Sequence, residues 1–485
     1  MRDVTSSPDR SRWLALVVLC AGMLMIILDG TIVNVALPAI QDDLGFAQSD
    51  LAWVVNAYLI AFGGLLLLAG RLGDLIGRKR IFLTGVAVFT SASLLCGLAQ
   101  SQGLLIAARF VQGVGGALTS AVILGMIVTM FPEPREQAKA IGVYGFVASA
   151  GGSIGLLAGG ALTEAINWHW IFFINIPVGI VTAFLATRLV ADSPGIGLKA
   201  GADLPGAVLL TGGLMLGVYT ILQVSEQGWG STRTLVLGAV SIALVAAFVA
   251  RQARIANPLM PLRLFHSRNV AGANVVIALL VVGMFGMFFL GALYLQRILG
   301  YSPLEVGLAF LPATLVWGFS SLFLSDRLIM RYGIKPPLII GLCFFFVGLL
   351  LLARAPVDGS FTMDVLLPML CFGLGGGITF NPLLLAAMGD VEPQDSGLAS
   401  GIVNTAFMMG GALGLAVLAA IATSRTDNLL ASGDSQIEAL IGGYHAAFMV
   451  GALFAAAAGV LAATLLRPVA APGHAMTEPA TAQAE

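Results

Sequence analysis

Charged residues are scarce in this chain. Of its 485 residues only 10% are Asp, Glu, Lys or Arg, whereas 58% are hydrophobic. A soluble globular domain carries about 25% charged residues. The composition therefore excludes a large soluble core and predicts a membrane protein. The formal net charge is −1, which gives no reason to expect nucleic acid or an anionic surface as a dedicated partner.

Cysteine and histidine are equally sparse, with four residues of each. The cysteines lie singly in apolar segments, where a free thiol packs as a small hydrophobe, and the histidines are too far apart to suggest a ligand cluster. We therefore expect no disulfide, no metal site and no cofactor. No nucleophile–base pair or phosphate-binding loop is recognisable, so an enzyme is not expected.

Long apolar runs, by contrast, recur along the whole sequence. Each is about 18 to 25 residues long, enough to cross a hydrocarbon core of about 30 Å. The first run is too long for the core of a signal peptide, so we interpret it as a retained helix. The sequence thus predicts fourteen membrane helices, near residues 14–37, 51–70, 80–99, 104–130, 138–162, 169–189, 204–223, 234–251, 270–296, 304–325, 337–354, 362–388, 397–422 and 443–466.

Lysine and arginine predict the orientation of these helices. With the N-terminus inside, 19 of the 24 basic residues fall on the inner side and Arg109 stays within the membrane. Only four fall outside, namely Arg233, Arg297, Arg354 and Arg425. Loops rich in Lys and Arg stay in the cytoplasm. We therefore expect a multi-pass plasma-membrane protein with both termini cytoplasmic.

The helices divide into two sets of six with an insertion between them. We predict an N-terminal six-helix bundle at residues 1–190, a linker with two additional helices at 191–268, a C-terminal six-helix bundle at 269–467 and a disordered cytoplasmic tail at 468–485. The loop after the second helix is weakly repeated after the tenth. Parallel halves of this kind recur in transporters. The predicted fold class is an all-α polytopic membrane protein.

An acid and a base interrupt the apolar runs at similar depth. Asp29 lies roughly 22 Å along a helix that starts near residue 14, and Arg109 lies roughly 8 Å below the outer surface. An acid at the centre of a membrane helix costs about 2.5–3.5 kcal/mol and is a functional candidate. We interpret the pair as a proton-responsive group at the wall of a cavity. The alternatives are a permanent ion pair that only locks two helices, or a shifted register that leaves Asp29 near the surface.

Two segments contain regularly placed glycines. The inner loop after helix two permits a tight connection whose basic residues stay on the cytoplasmic side, although it could be only a topogenic anchor; its candidate residues are Gly70, Asp74, Gly77, Arg78 and Lys79. Helix five carries a row of glycines that lets two helices approach and slide, or simply pack closely. Its members are Gly151, Gly155, Gly159 and Gly160.

Few other polar residues occur within the predicted spans. Each could contact a substrate, or could hydrogen-bond a neighbouring helix without any ligand. The candidates for a substrate cavity are Asn34, Asn56, Gln112, Asn274, Asn381 and Asn404.

These motifs resemble those of the major facilitator superfamily, and within it the fourteen-helix drug:proton antiporters. The similar segments are 28–38 in helix one, 70–80 after helix two, 109–117 in helix four, 151–160 in helix five and 168–177 at the start of helix six. Two positions depart from the pattern. Leu156 stands where the exporter motif has a proline, so the kink that this proline gives helix five is not expected from the sequence. His169 stands where the helix-six motif has an arginine between two tryptophans.

The resemblance implies that a proton enters as a lipophilic or amphipathic compound leaves. It assigns proton coupling to Asp29 and Arg109, and a conformational latch to the loop around Asp74 and Arg78. The implied partners are a small organic substrate, protons and the lipid bilayer, and a monomer is expected. A narrow exporter of a native metabolite, antibiotic, lipid or siderophore is the alternative, followed by a non-transporting membrane sensor.

Overall fold

The architecture is described from a computed structural model covering residues 9–192, 194–195, 197, 201–391 and 396–467. The predicted tail, residues 468–485, lies outside this described part. Within it, fourteen helices are long and apolar enough to cross a membrane, which confirms the predicted all-α membrane fold. They are α1 (Asp9–Leu44), α2 (Trp53–Ile76), α3 (Arg78–Gly97), α4 (Gln102–Met130), α5 (Pro134–Ala165), α6 (Trp170–Leu189), α7 (Leu204–Leu222), α8 (Thr232–Gln252), α9 (Arg268–Ile298), α10 (Pro303–Tyr332), α11 (Lys335–Leu352), α12 (Phe361–Met388), α13 (Ser396–Ala431) and α14 (Gln436–Leu465).

The connections between helices follow local sequence signals. Gly77 separates α2 from α3 with a φ of 115°, and Gly333 separates α10 from α11 with a φ of 76°. Both values lie in the region that glycine adopts without steric cost. At the start of α10, Ser302 and Glu305 form a capping box, which satisfies the free N–H groups of the first turn. The two halves therefore share a glycine-dependent turn at corresponding places.

The two membrane faces of the molecule differ in charge. We call the face at which α1 begins and α14 ends the basic face, and the other the opposite face. The ends of α2, α8 and α10 bring Arg71, Arg251 and Arg331 to the basic face. This is the side on which the sequence places most of the Lys and Arg residues.

Helices α1–α6 and α9–α14 form two bundles that meet along two seams. In the first bundle α1 packs against α5, and α4 packs against α2 and α3; in the second, α9 packs against α13 and α14, and α11 against α12. One seam joins α5 to α10, and the other joins α2 to α13. Helix α7 packs against both α2 and α13, and α8 packs against α7. The two additional helices thus lie beside the second seam.

The structure shows the internal repeat more clearly than the sequence does. A Cβ added to Gly85 would meet the hydroxyl oxygen of Thr119 at 2.4 Å, and one added to Gly341 would meet that of Thr379 at 2.3 Å. The pairs Gly115–Phe89 and Gly375–Phe345 repeat the same close approach, at 2.5 Å to the backbone nitrogen of the phenylalanine. Helices α3 and α4 therefore pack as α11 and α12 do, and a position in α4 corresponds to one 260 residues later in α12.

Candidate functional site

A buried carboxylate with three side-chain donors lies inside the first bundle. Oδ2 of Asp29 accepts a hydrogen bond from Nη1 of Arg109 at 2.5 Å. Oδ1 accepts from Nε2 of Gln112 at 2.7 Å and from Nδ2 of Asn175 at 2.9 Å. Asp29 and Gln112 are fully buried, and Arg109 and Asn175 are 1% exposed. We call these four residues, contributed by α1, α4 and α6, the polar cluster.

The guanidinium of Arg109 has partners on several sides. Its Nε donates to the backbone oxygen of Val54 in α2 at 2.9 Å, and Nη1 also donates to Oε1 of Gln112. The ring of Tyr58 lies 4.5 Å from the guanidinium carbon, within the range of a cation–π interaction. A buried pair tolerates the loss of hydration only when such additional bonds satisfy it. A change in the charge of Asp29 would therefore disturb α1, α2, α4 and α6 together.

The cluster lies nearer the opposite face than the basic face. Arg109 is seven residues into α4, or about 10 Å from the start of that helix, and Val54 is in the first turn of α2. The predicted pairing of Asp29 with Arg109 is present. The expected position at a cavity wall is not seen in this conformation, because both side chains are enclosed by protein.

The corresponding place in the second bundle carries no charge. With the offset of 260 residues between α4 and α12, Arg109 corresponds to Met369 and Gln112 to Phe372, which are both buried. Phe372 contacts the rings of Phe288 and Phe345. The same helix packing is thus achieved with an apolar core, so the fold does not require an ion pair at this place. This weakens the reading of Asp29 and Arg109 as a mere structural lock.

A cavity of about 1210 Å³ lies between the bundles at the basic face. Met23, Tyr144 and the basic ends of α2 and α4 line one side; the ends of α12 and α13 line another. Residues 252–263, which begin at the last residue of α8, form a third side. The volume is somewhat larger than the roughly 300–1,000 Å³ of typical small-molecule sites. The lining mixes apolar side chains with Arg, Asp, Tyr and Asn.

Of the six polar residues predicted for a substrate cavity, only Asn404 lines the one at the basic face. Gln112 belongs to the polar cluster. Asn34 donates to backbone oxygens of its own helix, Asn274 donates to Val270, and Asn381 bonds Ser321 of α10. Asn56 is fully buried, and its side-chain nitrogen and oxygen have no hydrogen-bond partner among the described residues. The other five do not line this cavity in the conformation described.

The predicted latch residues tie the basic ends of the first bundle together. Arg78 donates to the backbone oxygen of Gly125 in α4 at 2.8 Å and to the carboxylate of Asp74 at 3.2 Å. Lys79 donates to the backbone oxygen of Thr187 in α6. Gly77 supplies the turn between α2 and α3, and a Cβ at Gly70 would meet nothing within 4 Å. The loop therefore joins α2 and α3 to α4 and α6.

The glycine row of α5 faces two different helices. A Cβ at Gly151, Gly155 or Gly159 would meet α1, at Ile27, Thr31 and Ile32 respectively. One at Gly160 would instead meet the backbone of α10 in the other bundle, 2.5 Å from the oxygen of Pro303. The row thus holds α5 against the turns of α1 that flank Asp29, whereas Gly160 belongs to the seam between the bundles.

The bundles are clamped together at the opposite face. A π-helical turn at the end of α9, Tyr294–Ile298, presents Arg297 to α1. There the guanidinium donates to the carboxylate of Asp42 and, at 3.3 Å, to the backbone oxygen of Pro38. The carboxylate of Glu164 in α5 accepts from the backbone N–H of Leu304 in α10 at 3.0 Å. The cavity is therefore on one face and the closure on the other.

Sequence reasoning did not identify Asn175, Arg297 or Glu164 as site residues. Asn175 stands within the helix-six motif, but a motif does not show which helix its amide faces.

The two departures from the motifs lie near the closure. The backbone oxygen of Leu156 closely approaches Gly307 of α10, and Nε2 of His169 is 3.8 Å from the carboxylate of Asp43.

Comparison with known proteins agrees with this architecture. The family model described as Major Facilitator Superfamily matches residues 19–415. The chain is 39% identical to the puromycin resistance protein pur8 of Streptomyces alboniger, over 94% of this chain and 91% of that protein. It is 38% identical to the cephamycin export protein CmcT of Amycolatopsis lactamdurans, over 85% of each. The multidrug resistance protein Stp of Mycobacterium tuberculosis is 35% identical, over 85% of this chain and 76% of Stp.

Solved structures of transporters share this fold. A bacterial homologue of the human lysosomal transporter Spinster superposes with a TM-score of 0.68, at 16% identity, covering 94% of this chain and 97% of that one. The fourteen spans, the two bundles and the relatives all describe a multi-pass membrane transporter rather than an enzyme. The chain belongs to the Major Facilitator Superfamily, and its relatives are consistent with the fourteen-helix branch that its motifs resemble.

Proposed function

We propose that this transporter is an antiporter that exports lipophilic or amphipathic organic compounds across the plasma membrane as protons enter. The observation that carries the proposal is the buried carboxylate of Asp29, held by Arg109 and two amides. The second bundle builds the same packing without charge, which supports a functional reason for the pair. The relatives named for export or resistance support the direction of transport and the kind of substrate.

The mechanism follows from the two faces. The basic face is cytoplasmic, because it carries most of the Lys and Arg residues. A compound then binds from the cytoplasm in the 1210 Å³ cavity while the clamp closes the outer face. When the bundles rock, the outer face opens and a proton reaches Asp29. Protonation removes the negative charge that Arg109 and the two amides stabilise in the cytoplasm-facing state. The proton and the compound therefore favour different states, as coupling requires. The loop around Asp74 and Arg78 closes the cytoplasmic side in the other state.

The test is flux of ethidium, puromycin and chloramphenicol in inverted vesicles with an imposed pH gradient. We expect at least one compound to accumulate in vesicles whose lumen is acidic, and the accumulation to collapse when an ionophore removes the gradient. Accumulation that persists without any proton gradient would contradict antiport. Control vesicles carry the Asp29→Asn variant at the same protein level.

A narrower exporter of one antibiotic is the second candidate. It is favoured by two relatives, each named for a single antibiotic, puromycin and cephamycin. Cells that overproduce the chain distinguish the two. Protection against chemically unrelated compounds indicates a multidrug exporter, whereas protection against one compound alone indicates the narrower transporter.

The outer clamp gives a prediction of moderate size. The ion pair of Arg297 with Asp42 is partly exposed, at 32% and 64% of the side chains, and such pairs contribute about 1 kcal/mol or less. Arg297→Ala should therefore raise the share of the outward-open state up to about fivefold. The measurement is the distance between spin labels at positions 166 and 363, which are exposed near the opposite face on different bundles. Arg354→Ala, an exposed arginine on the same face, should leave the distance distribution unchanged.

A further inference from the structure

The segment after α8 forms a large part of the cytoplasmic cavity. Ten of the thirty residues that line the cavity lie between Gln252 and Arg263. We call residues 252–263 the wall segment. Except for Gln252, Asn257 and Arg263, its lining residues are apolar, and they include Pro258 and Pro261. A stretch that resembles a basic linker in the sequence thus contributes seven apolar residues to the cavity wall.

The wall segment is wedged at the seam between the bundles. Leu259 is 4% exposed and belongs to a small apolar cluster. The cluster joins Leu67 and Leu68 of α2 to Ala399 and Ile402 of α13. Because α2 and α13 belong to different bundles, the wall segment shares one apolar cluster with both halves of the transporter.

One buried carboxylate holds the wall segment in place. Oδ1 of Asp203 accepts from the N–H of Gly206 at 2.9 Å and from Nε of Arg251 at 2.6 Å. Oδ2 accepts from Nε2 of Gln252 at 2.7 Å, and Oε1 of Gln252 in turn accepts from the N–H of Met260 at 3.1 Å. Asp203 therefore connects the start of α7 to the end of α8 and, through Gln252, to the middle of the wall segment.

The charge state of this carboxylate is constant over physiological pH. Burial would raise the pKa of Asp203, but the hydrogen bonds from Arg251, Gln252 and Gly206 outweigh burial and hold the pKa below its usual value. That usual value is about 3.9, so Asp203 remains ionised where the transporter works. It is thus suited to hold a surface rather than to carry a transported proton.

We propose that the wall segment is the substrate-selecting surface of the cavity and that Asp203 is its positioning residue. The inference rests on the proposed export function and deepens it. An amphipathic compound places its apolar body against Ile255, Ala256 and Pro258, with its polar part toward the ends of α2 and α4. The role of the additional helices α7 and α8 is then to hold this surface between the bundles.

Cysteine labelling tests the surface without a proton gradient. The four native cysteines are replaced by alanine, and Ala256→Cys, whose position is exposed to the cavity, is labelled with a charged thiol reagent. We expect ethidium, puromycin or chloramphenicol in excess to slow the labelling severalfold. The control is Thr232→Cys, at the start of α8 on the opposite face, which should label at an unchanged rate. Equal labelling of Ala256→Cys with and without all three compounds would overturn the proposal.

The Asp203→Asn variant tests the positioning role. The amide group of asparagine would place an N–H₂ donor against groups that donate hydrogen bonds to Asp203 in the unmodified chain. The wall segment should therefore shift. We expect the KM values of the three compounds to change by different factors, so that their order changes. A merely structural role would reduce the amount of folded transporter, and so lower the maximal rate by the same factor for all compounds. Unchanged KM values would refute positioning. Failure of gradient-driven flux in the unmodified chain would instead contradict antiport, which the labelling experiment does not require.

Discussion

Asp29→Asn is expected to abolish uphill export while leaving exchange of the compound down its own gradient. Asparagine has the shape of aspartate but cannot release a proton at any accessible pH. In the pH-gradient assay the compound should stop at equal concentrations inside and outside. Counterflow, in which unlabelled compound inside drives uptake of labelled compound, needs no proton exchange and should continue. Undiminished uphill export by this variant would rule out Asp29 as the coupling residue.

The same substitution also leaves a buried charge without its partner. Arg109 keeps its bond to Val54 and its contact with Tyr58, but removal of one member of a buried ion pair costs about 3–5 kcal/mol. Counterflow therefore also reports whether the variant is folded. Asp29→Glu is the second control, since it keeps the titratable group and should retain part of the coupling. Asp434→Asn, in an exposed loop, should behave as the unmodified transporter.

The sequence was sufficient to predict the fold, but the predictions of the site were only partly correct. Apolar runs are long and numerous, so fourteen spans follow from composition, although α1 extends beyond the predicted 14–37 to Asp9–Leu44. The pairing of Asp29 with Arg109 follows from equal depth and opposite charge. Neither argument shows which helices are neighbours. That Asn175 of α6 would reach Asp29 depends on the lateral order of the helices, which hydrophobic runs do not encode.

The role of the additional helices was not predictable for a similar reason. Residues 252–263 contain two arginines and two prolines at the basic face, a composition typical of a linker. It takes the three-dimensional structure to show that Leu259 joins an apolar cluster with α2 and α13 and that this linker lines a cavity. The glycine row of α5 shows the same limit. Four-residue spacing predicts a close contact, but it does not show that Gly151, Gly155 and Gly159 face α1 while Gly160 faces the other bundle.

Gly160→Ala is expected to impair closure of the outer face. The added Cβ would lie 2.5 Å from the backbone oxygen of Pro303 and 2.7 Å from the Cα of Leu304. Backbone atoms cannot move aside as a flexible side chain can, so α5 and α10 must separate, by about 1 Å if normal contact distances are restored. The separation also lengthens the bond from Leu304 to Glu164, which the seam holds at 3.0 Å. Export should fall severalfold because the cytoplasm-facing state becomes less stable.

The distance between spin labels at positions 166 and 363 distinguishes this mechanism from simple misfolding. In Gly160→Ala the distribution should shift to longer distances, while counterflow remains measurable. Gly152→Ala is the matched control, because it lies on the same helix and its added Cβ would meet nothing within 4 Å. If both variants export normally and show the unmodified distance, the seam between α5 and α10 does not limit transport. If Gly160→Ala loses export without a change in distance, the seam affects transport by a route other than opening of the outer face.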